Sequence, residues 1–287
     1  MSRSPLRIGI ALGGGGARGL CHIEFLRVLD ELSVVPSVIA GTSIGAIVGG
    51  LYAAGISAAG LADLLAGFGL KDLTKLVDLS MFNDKAVIKG KKIEHFLEER
   101  LPVTRFEECR IPLKVVATDF WNREPVIFES GDLAPAVRAS MSLPAVFEPV
   151  RLGGRVLVDG GAVNPLPFDI IREDCDLLIA VDVTGERVPG SRSSLPGMLE
   201  SVISTFLIMQ SSIVEGKMIS ARPDIYIRPR LINVGLLDFH RDEEILAGVA
   251  EDVRDFRRTL RKRLARSGKS GGRRFGFLRP HRRERSD

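Results

Sequence analysis

Cysteine is scarce: Cys21, Cys109 and Cys175 are the three in 287 residues, and their wide spacing suits neither a disulfide framework nor a zinc or redox pair. Histidine is almost as rare, with four residues, and there is a single Trp. No segment reaches the roughly 20 consecutive apolar residues of a membrane span. The most apolar late stretch, Met198 to Ile213, carries Glu200, Gln210 and several serines. At the amino terminus a basic residue precedes Ile8-Gly9-Ile10-Ala11-Leu12, but that stretch has only strand length and runs into glycines without a cleavage site, so no signal peptide is expected. The expectation is a reducing, cytoplasmic setting, with the protein soluble or peripheral on the inner face of the membrane.

A hydrophobic content of 45% is ample for a buried core. The net charge of +4 hides an asymmetry: residues 252–287 hold 14 Lys/Arg against 4 Asp/Glu, and the remainder of the chain is net acidic. A solvated helix end followed by a disordered extension accounts for such a run. Attraction to an anionic membrane is the other reading, and without aromatic interleaving or a recognition motif nucleic acid is not expected.

Apolar periodicity predicts strands over 6–12, 37–40, 113–119, 126–129, 156–159, 177–183 and 224–229. Helices are predicted over 20–32, 46–54, 61–70, 91–100, from about 197, and over 243–264. Strands alternating with helices point to an α/β fold, a central mostly parallel sheet with helices on both faces. A flexible loop is expected at 189–196. One catalytic domain should span 5–265, with a basic, disordered tail over 266–287.

Gly41-Thr42-Ser43-Ile44-Gly45 falls between a predicted strand and a predicted helix, the setting in which G-x-S-x-G forms a nucleophile elbow. Small residues at 41 and 45 would leave room for a sharp turn that lifts the Ser43 hydroxyl beside a helix N-terminus; an ordinary glycine turn with Ser43 as N-cap is the plainer alternative. The run Gly13 to Gly16, with Ala17-Arg18-Gly19 after it, also opens a helix after a strand. Its free amides could hold a pyrophosphate or a tetrahedral oxyanion. A dinucleotide site expects an acid about 20 positions on, at the end of the second strand. Here that strand runs straight into the Ser43 turn, which favours the oxyanion. A base for the serine could be one of the histidines, His22, His95, His240 or His281, none of which has a comfortable setting. Asp159 ends an apolar strand before Gly160-Gly161, at the strand edge where α/β sites lie, although an Asx turn would use the same residues.

Four ordered blocks carry a resemblance: Gly14-Gly15-Gly16-Ala17-Arg18-Gly19; Gly41-Thr42-Ser43-Ile44-Gly45; Ala139-Ser140-Met141-Ser142-Leu143-Pro144 with Phe147 and Pro149; and Asp159-Gly160-Gly161 with Asn164-Pro165. Together they resemble the bacterial patatin-like phospholipases. The resemblance implies a three-layer fold related to the α/β-hydrolases. It further implies a serine–aspartate dyad without histidine that acts on acyl esters of lipids, with no cofactor and no metal. By motif position, Ser43 would be the nucleophile and Asp159 the base. The amides around Gly14, Gly15 and Gly16 would form the oxyanion hole, Arg18 would anchor the glycine loop, and Gly19, Gly41, Gly45, Gly160 and Gly161 would support the motifs.

The expected partner is a lipid or phospholipid acyl ester, with a peripheral contact to an anionic membrane through the basic end and the apolar segment near 195–218. An acyltransferase with the same dyad, a non-catalytic lipid-binding or regulatory protein and a dinucleotide-dependent oxidoreductase are the alternatives.

Overall fold

The computed structural model describes residues 6–67, 91–185 and 195–269. Its frame is an eight-stranded sheet of β1 (Ile8–Leu12), β2 (Val38–Thr42), β3 (Leu113–Asp119), β4 (Glu124–Phe128), β5 (Val150–Leu152), β6 (Arg155–Asp159), β7 (Leu177–Val181) and β8 (Ile225–Ile227). The order is β5-β6-β3-β2-β1-β7-β8, with β4 also paired to β3. From β3 to β8 the neighbours run parallel, whereas β4, β6 and β5 join antiparallel. β1, β2 and β7 are buried along their whole length. Unbroken apolar strands of this kind need cover on both faces, which helices following parallel strands supply.

Alternation of side chains divides the core in two. Ile8, Ile10 and Leu12 point into one apolar cluster with side chains of α1 (His22–Glu31), α2 (Ile44–Ala53), α3 (Ala58–Gly67), α4 (Lys91–Arg100), α5 (Leu133–Ser140), α7 (Asp242–Gly248) and α8 (Ala250–Lys269). Ala11, Ala40, Leu178 and Ala180 point the other way, against Phe168, Ile171 and Val214, the last from α6 (Met198–Ser220). Helices therefore cover both faces of a mixed, mostly parallel sheet.

The register brings the functional edge together. Thr42 pairs with Val116, so the next residue, Ser43, comes level with Ala117 of β3. Ala117 in turn pairs with Asp159 of β6 on that same edge of β3, the opposite edge being taken by β4. Residues more than a hundred apart in sequence thus meet side by side on one edge of β3.

The structure departs from the sequence reading in several places. Helix α5 and strand β5 were not expected: Leu133–Ser140 is a short helix with Pro135 in its first turn, and β5 is a three-residue edge strand. Both are too short for periodicity to register. The single helix expected over 243–264 is two, because α7 stops at Gly248 and Val249 caps it. α8 then runs to Lys269, past the expected domain boundary at 265. Most of the expected loop at 189–196, the end of the helix expected at 61–70, and residues 270–287 lie outside the described residues.

α8 is fastened to α1 by a T-shaped contact of Phe25 and Phe256, ring centroids 5.8 Å apart, and by an ion pair from Arg257 to Glu31 at 2.8 Å. Phe256 is 3% exposed. Phe256→Ala is expected to cost about 3 kcal/mol of stability, read as a lower denaturant midpoint at unchanged slope.

Candidate active site

Ser43 follows β2 directly and caps α2 with φ 56 and ψ −122, a conformation that a residue with a side chain adopts only under constraint. The constraint comes from above and below. Its N–H donates to the Ser140 hydroxyl at 2.9 Å, and its carbonyl accepts from Ala46 at 2.9 Å and Ile47 at 3.2 Å. The turn presses against β1 so closely that a Cβ on Gly45 would lie 2.1 Å from the Leu12 carbonyl oxygen. Gly41, Gly19 and Gly160 have equally little room, against Gly45, Ile44 and Val116 respectively. The motif glycines are thus required by close approach of the elements.

Asp159 ends β6 and is 1% exposed. Its carboxylate accepts a hydrogen bond from the Ser43 hydroxyl, and its Oδ1 accepts one from Gly161 N–H at 2.7 Å. Burial pushes the carboxyl up from the usual aspartate value to about 6, against the opposing pull of those two donors. Its backbone is held as well: the carbonyl accepts from the Thr118 hydroxyl at 2.8 Å and the N–H donates to Ser142 O at 2.9 Å.

The third block therefore has a physical role that sequence reasoning did not identify. Ser140 holds the backbone of Ser43, and the Ser142 carbonyl holds the backbone of Asp159. Buried Arg138 stiffens this bridge, donating to Ser142 Oγ at 2.6 Å and to Glu148 O at 3.2 Å while its guanidinium lies 5.4 Å from the centroid of the Phe147 ring. Only the tertiary fold brings these groups to the two strand ends.

The glycine loop lies alongside. Gly14 is adjacent to Ser43, so that a Cβ there would stand 3.3 Å from the serine Cβ. Its N–H, however, already donates to Pro165 O at 2.9 Å, as that of Gly13 does to Val181 O at 3.0 Å. Gly14 is thus corrected as an amide donor to an oxyanion in this conformation, because its proton is committed. Gly15 N–H and Gly16 N–H have no such partner among the described residues. Gly16 has φ 58, with the Leu236 carbonyl pressed against it, a position closed to other residues. Buried Arg18 ties the loop down, donating to Gly15 O at 3.3 Å and to Val234 O at 3.4 Å.

His22 is fully buried, and its Nε2–H donates to Gly13 O at 2.9 Å. Burial lowers its pKa to about 4 and keeps the ring neutral. His95 reaches Glu99 on the exposed surface of α4, at 3.1 Å. His240 is exposed in a short 3-10 turn, and His281 lies outside the described residues. The dinucleotide reading finds no support: the end of β2 carries Ser43 in place of a ribose-binding acid. Among the described residues no group of three or more His, Cys, Asp or Glu side chains is placed to hold a metal ion.

Helix α6 closes one flank. Gln210, 3% exposed, sits against the turn after Asp159, its Nε2 filling the space a side chain at Gly161 would need. Lys217 Nζ donates to Asn164 Oδ1 at 2.5 Å, to Leu166 O at 2.7 Å and to the Asp169 carboxylate, and lies 4.6 Å from the centroid of the Phe168 ring. Asn164 connects back to the elbow, its carbonyl accepting from the Thr42 hydroxyl at 2.8 Å.

An uncharacterized NTE family protein of Mycobacterium bovis is 35% identical over 198 residues, which cover 69% of this chain and 54% of the relative. Lysophospholipase NTE1 of Saccharomyces cerevisiae is 29% identical over 264 residues, covering 83% of this chain and 16% of that protein. This chain therefore spans about half the length of the first relative and less of the second. Among solved structures, VipD from Legionella pneumophila shares the fold with a TM-score of 0.50 at 16% identity, over 89% of this chain and 67% of that one. The sequence profile of the patatin-like phospholipases matches residues 10–172, the stretch that holds nearly all of the glycine loop, the serine elbow, the bridging block and the Asp159 turn just described. The chain belongs to the patatin-like phospholipase family.

Proposed function

We propose that the chain hydrolyses carboxylic acyl esters of lipids through a Ser43–Asp159 dyad. The observation that carries this is the strained Ser43 elbow whose hydroxyl donates to a buried carboxylate with its pKa raised to about 6. Family membership supports the lipid substrate class.

In this reading, the Ser43 Oγ attacks the ester carbonyl carbon as its proton passes to Asp159. The tetrahedral oxyanion is held by Gly15 and Gly16 N–H, assisted by the N-terminal end of α2. As the intermediate collapses, the protonated Asp159 gives its proton to the departing alcohol oxygen and the acyl group stays on Ser43. Water then attacks the acyl-enzyme, losing a proton to Asp159, which returns it to Ser43 as the fatty acid leaves. An ordinary aspartate with pKa about 3.9 is a weak base for a serine, and burial narrows that gap without a histidine.

The test is release of fatty acid from short- and long-chain esters and then phospholipids. Ser43→Ala and Asp159→Asn are each expected to lower turnover by at least about 1000-fold with the fold retained. Activity that survives Ser43→Ala overturns the proposal.

The base works only when ionised. Turnover should therefore fall about tenfold per pH unit below an apparent value near 6 and level off above it. A plateau extending down to pH 4 would assign the base role elsewhere.

Stability carries the opposite sign. Because the folded value lies above the unfolded one, the contribution of Asp159 to stability is full below the unfolded value of 3.8 and is lost as pH rises through about 6. Above that, an ionised carboxylate sits in a buried site at a cost. Asp159→Asn is accordingly expected to gain about 1 to 3 kcal/mol at pH 8 and next to nothing near pH 4, compared by thermal melts.

A further inference from the structure

Helix α6 shows an unusual face to water. Of its 23 residues only Gln210 and Val214 are buried. The segment from Ser201 to Val214, almost four turns, contains no charged residue. Met198, Val202, Ile208, Met209 and Ile219 are 86%, 47%, 65%, 56% and 88% exposed, interspersed on the same outer arc with Thr205, Ser212 and Gly216, and with Glu215 as its single charge. An exposed helix of a protein bathed only in water normally presents charges on that side.

A second apolar projection lies on the same site. β3 continues two residues beyond Ala117, the residue level with Ser43 and Asp159, and then turns through Phe120 and Trp121. These rings pack edge to face at 4.9 Å yet remain 50% and 73% exposed. Trp beside Phe at a protruding turn suits the boundary between headgroups and acyl chains. α6 contacts the Asp159 turn through Gln210, and the hairpin grows from the strand along whose edge the two catalytic candidates meet. The two surfaces thus bracket the place where an ester would react.

We propose that the outer face of α6 and the Phe120–Trp121 tip dock this protein on the surface of a phospholipid bilayer. The proposal rests on the reading of the site as a lipid acyl hydrolase, because that chemistry requires the ester to pass from a bilayer to Ser43. The contact is apolar in character. The basic helix α8 is fastened elsewhere: Arg263 donates to Asp224 O at 3.4 Å, and Leu178, whose carbonyl accepts from the Asp224 N–H and whose own N–H donates to the Asp224 carboxylate, pairs with Gly9 at the end of the sheet away from the glycine loop. A face with Glu215 as its single charge draws on burial of hydrocarbon and not on basic residues, so a zwitterionic surface suffices.

The experiment is flotation of the full chain with phosphatidylcholine vesicles. Ser43→Ala protein and wild type are expected to float alike. The double variant Val202→Glu/Met209→Glu should lose at least about tenfold in bound fraction, with Trp121→Ala showing a smaller loss. Hydrolysis of a short-chain, water-soluble ester by the double variant should stay within about twofold of wild type, with an unchanged melting temperature, since neither residue touches the dyad. Undiminished flotation of the double variant overturns the proposal. So does a wild-type dimer that the double variant converts to monomers, which would make the face a contact between two copies of the chain. If no ester is cleaved by wild type while flotation depends on α6 as stated, docking holds and the catalytic reading fails.

Discussion

The hydrogen bond from Ser43 N–H to the Ser140 hydroxyl is small in energy, on the order of 1 kcal/mol, but the site depends on it. A serine at φ 56 is held against its own preference, and the backbone would relax if the turn were free to do so. It is not free, because α2 begins at once and is pressed against β1 at Gly45, where no side chain fits. Ser140 supplies the remaining restraint from a helix that reaches the elbow only because β3 and β6 lie next to β2. Strain at Ser43 is thus maintained by the order of strands in the sheet.

The same order determines the character of the Asp159 carboxyl. Set next to the end of β2 on the same edge of β3, Asp159 faces Ser43 directly inside the protein and loses nearly all contact with water. Desolvation raises its pKa, whereas the donors from Ser43 and Gly161 lower it. The outcome near 6 is a compromise: a carboxylate less stabilised would be a better base but would spend more of its time protonated, and one fully hydrogen-bonded would be ionised but inert. Gly161 supplies only one amide, and Gln210 fills the space beside it. The turn that limits solvation of the base is therefore built by the helix that also faces outward.

Most of the parallel core and the local motifs were legible in the sequence. Strands such as Leu113–Asp119 and the helix Lys91–Arg100 follow directly from apolar spacing, and Ser43 and Asp159 stand at strand ends where glycines announce sharp turns. Long-range partners leave no such mark. That Ser140 and Ser142 each hold one member of the pair depends on the meeting of elements distant in sequence, 97 residues apart for Ser43 and Ser140, and nothing local in a run such as Ala-Ser-Met-Ser marks it. Gly14 illustrates the same limit from the other side. Its place in a glycine run suggests a free amide, but the carbonyl of Pro165, distant in sequence, occupies it.

Helix α6 shows how composition misleads when burial is unknown. Its apolar run reads most simply as a core helix, the usual reason for uncharged sequence. In the fold, the two residues that are buried include the glutamine, and Gln210 Oε1 has no hydrogen-bond partner among the described residues, while methionine, isoleucine and valine face out. This inversion is costly for a helix whose neighbour is water, since both the buried amide and the exposed hydrocarbon are placed against their solvation preferences. It becomes consistent when the outer neighbour is hydrocarbon. The helix then has a mixed inner side, with Gln210 against the Asp159 turn and Val214, Phe206 and Met218 packed on the core, and an apolar outer side, and the ion pair and carbonyl contacts of Lys217 help to hold it in that orientation.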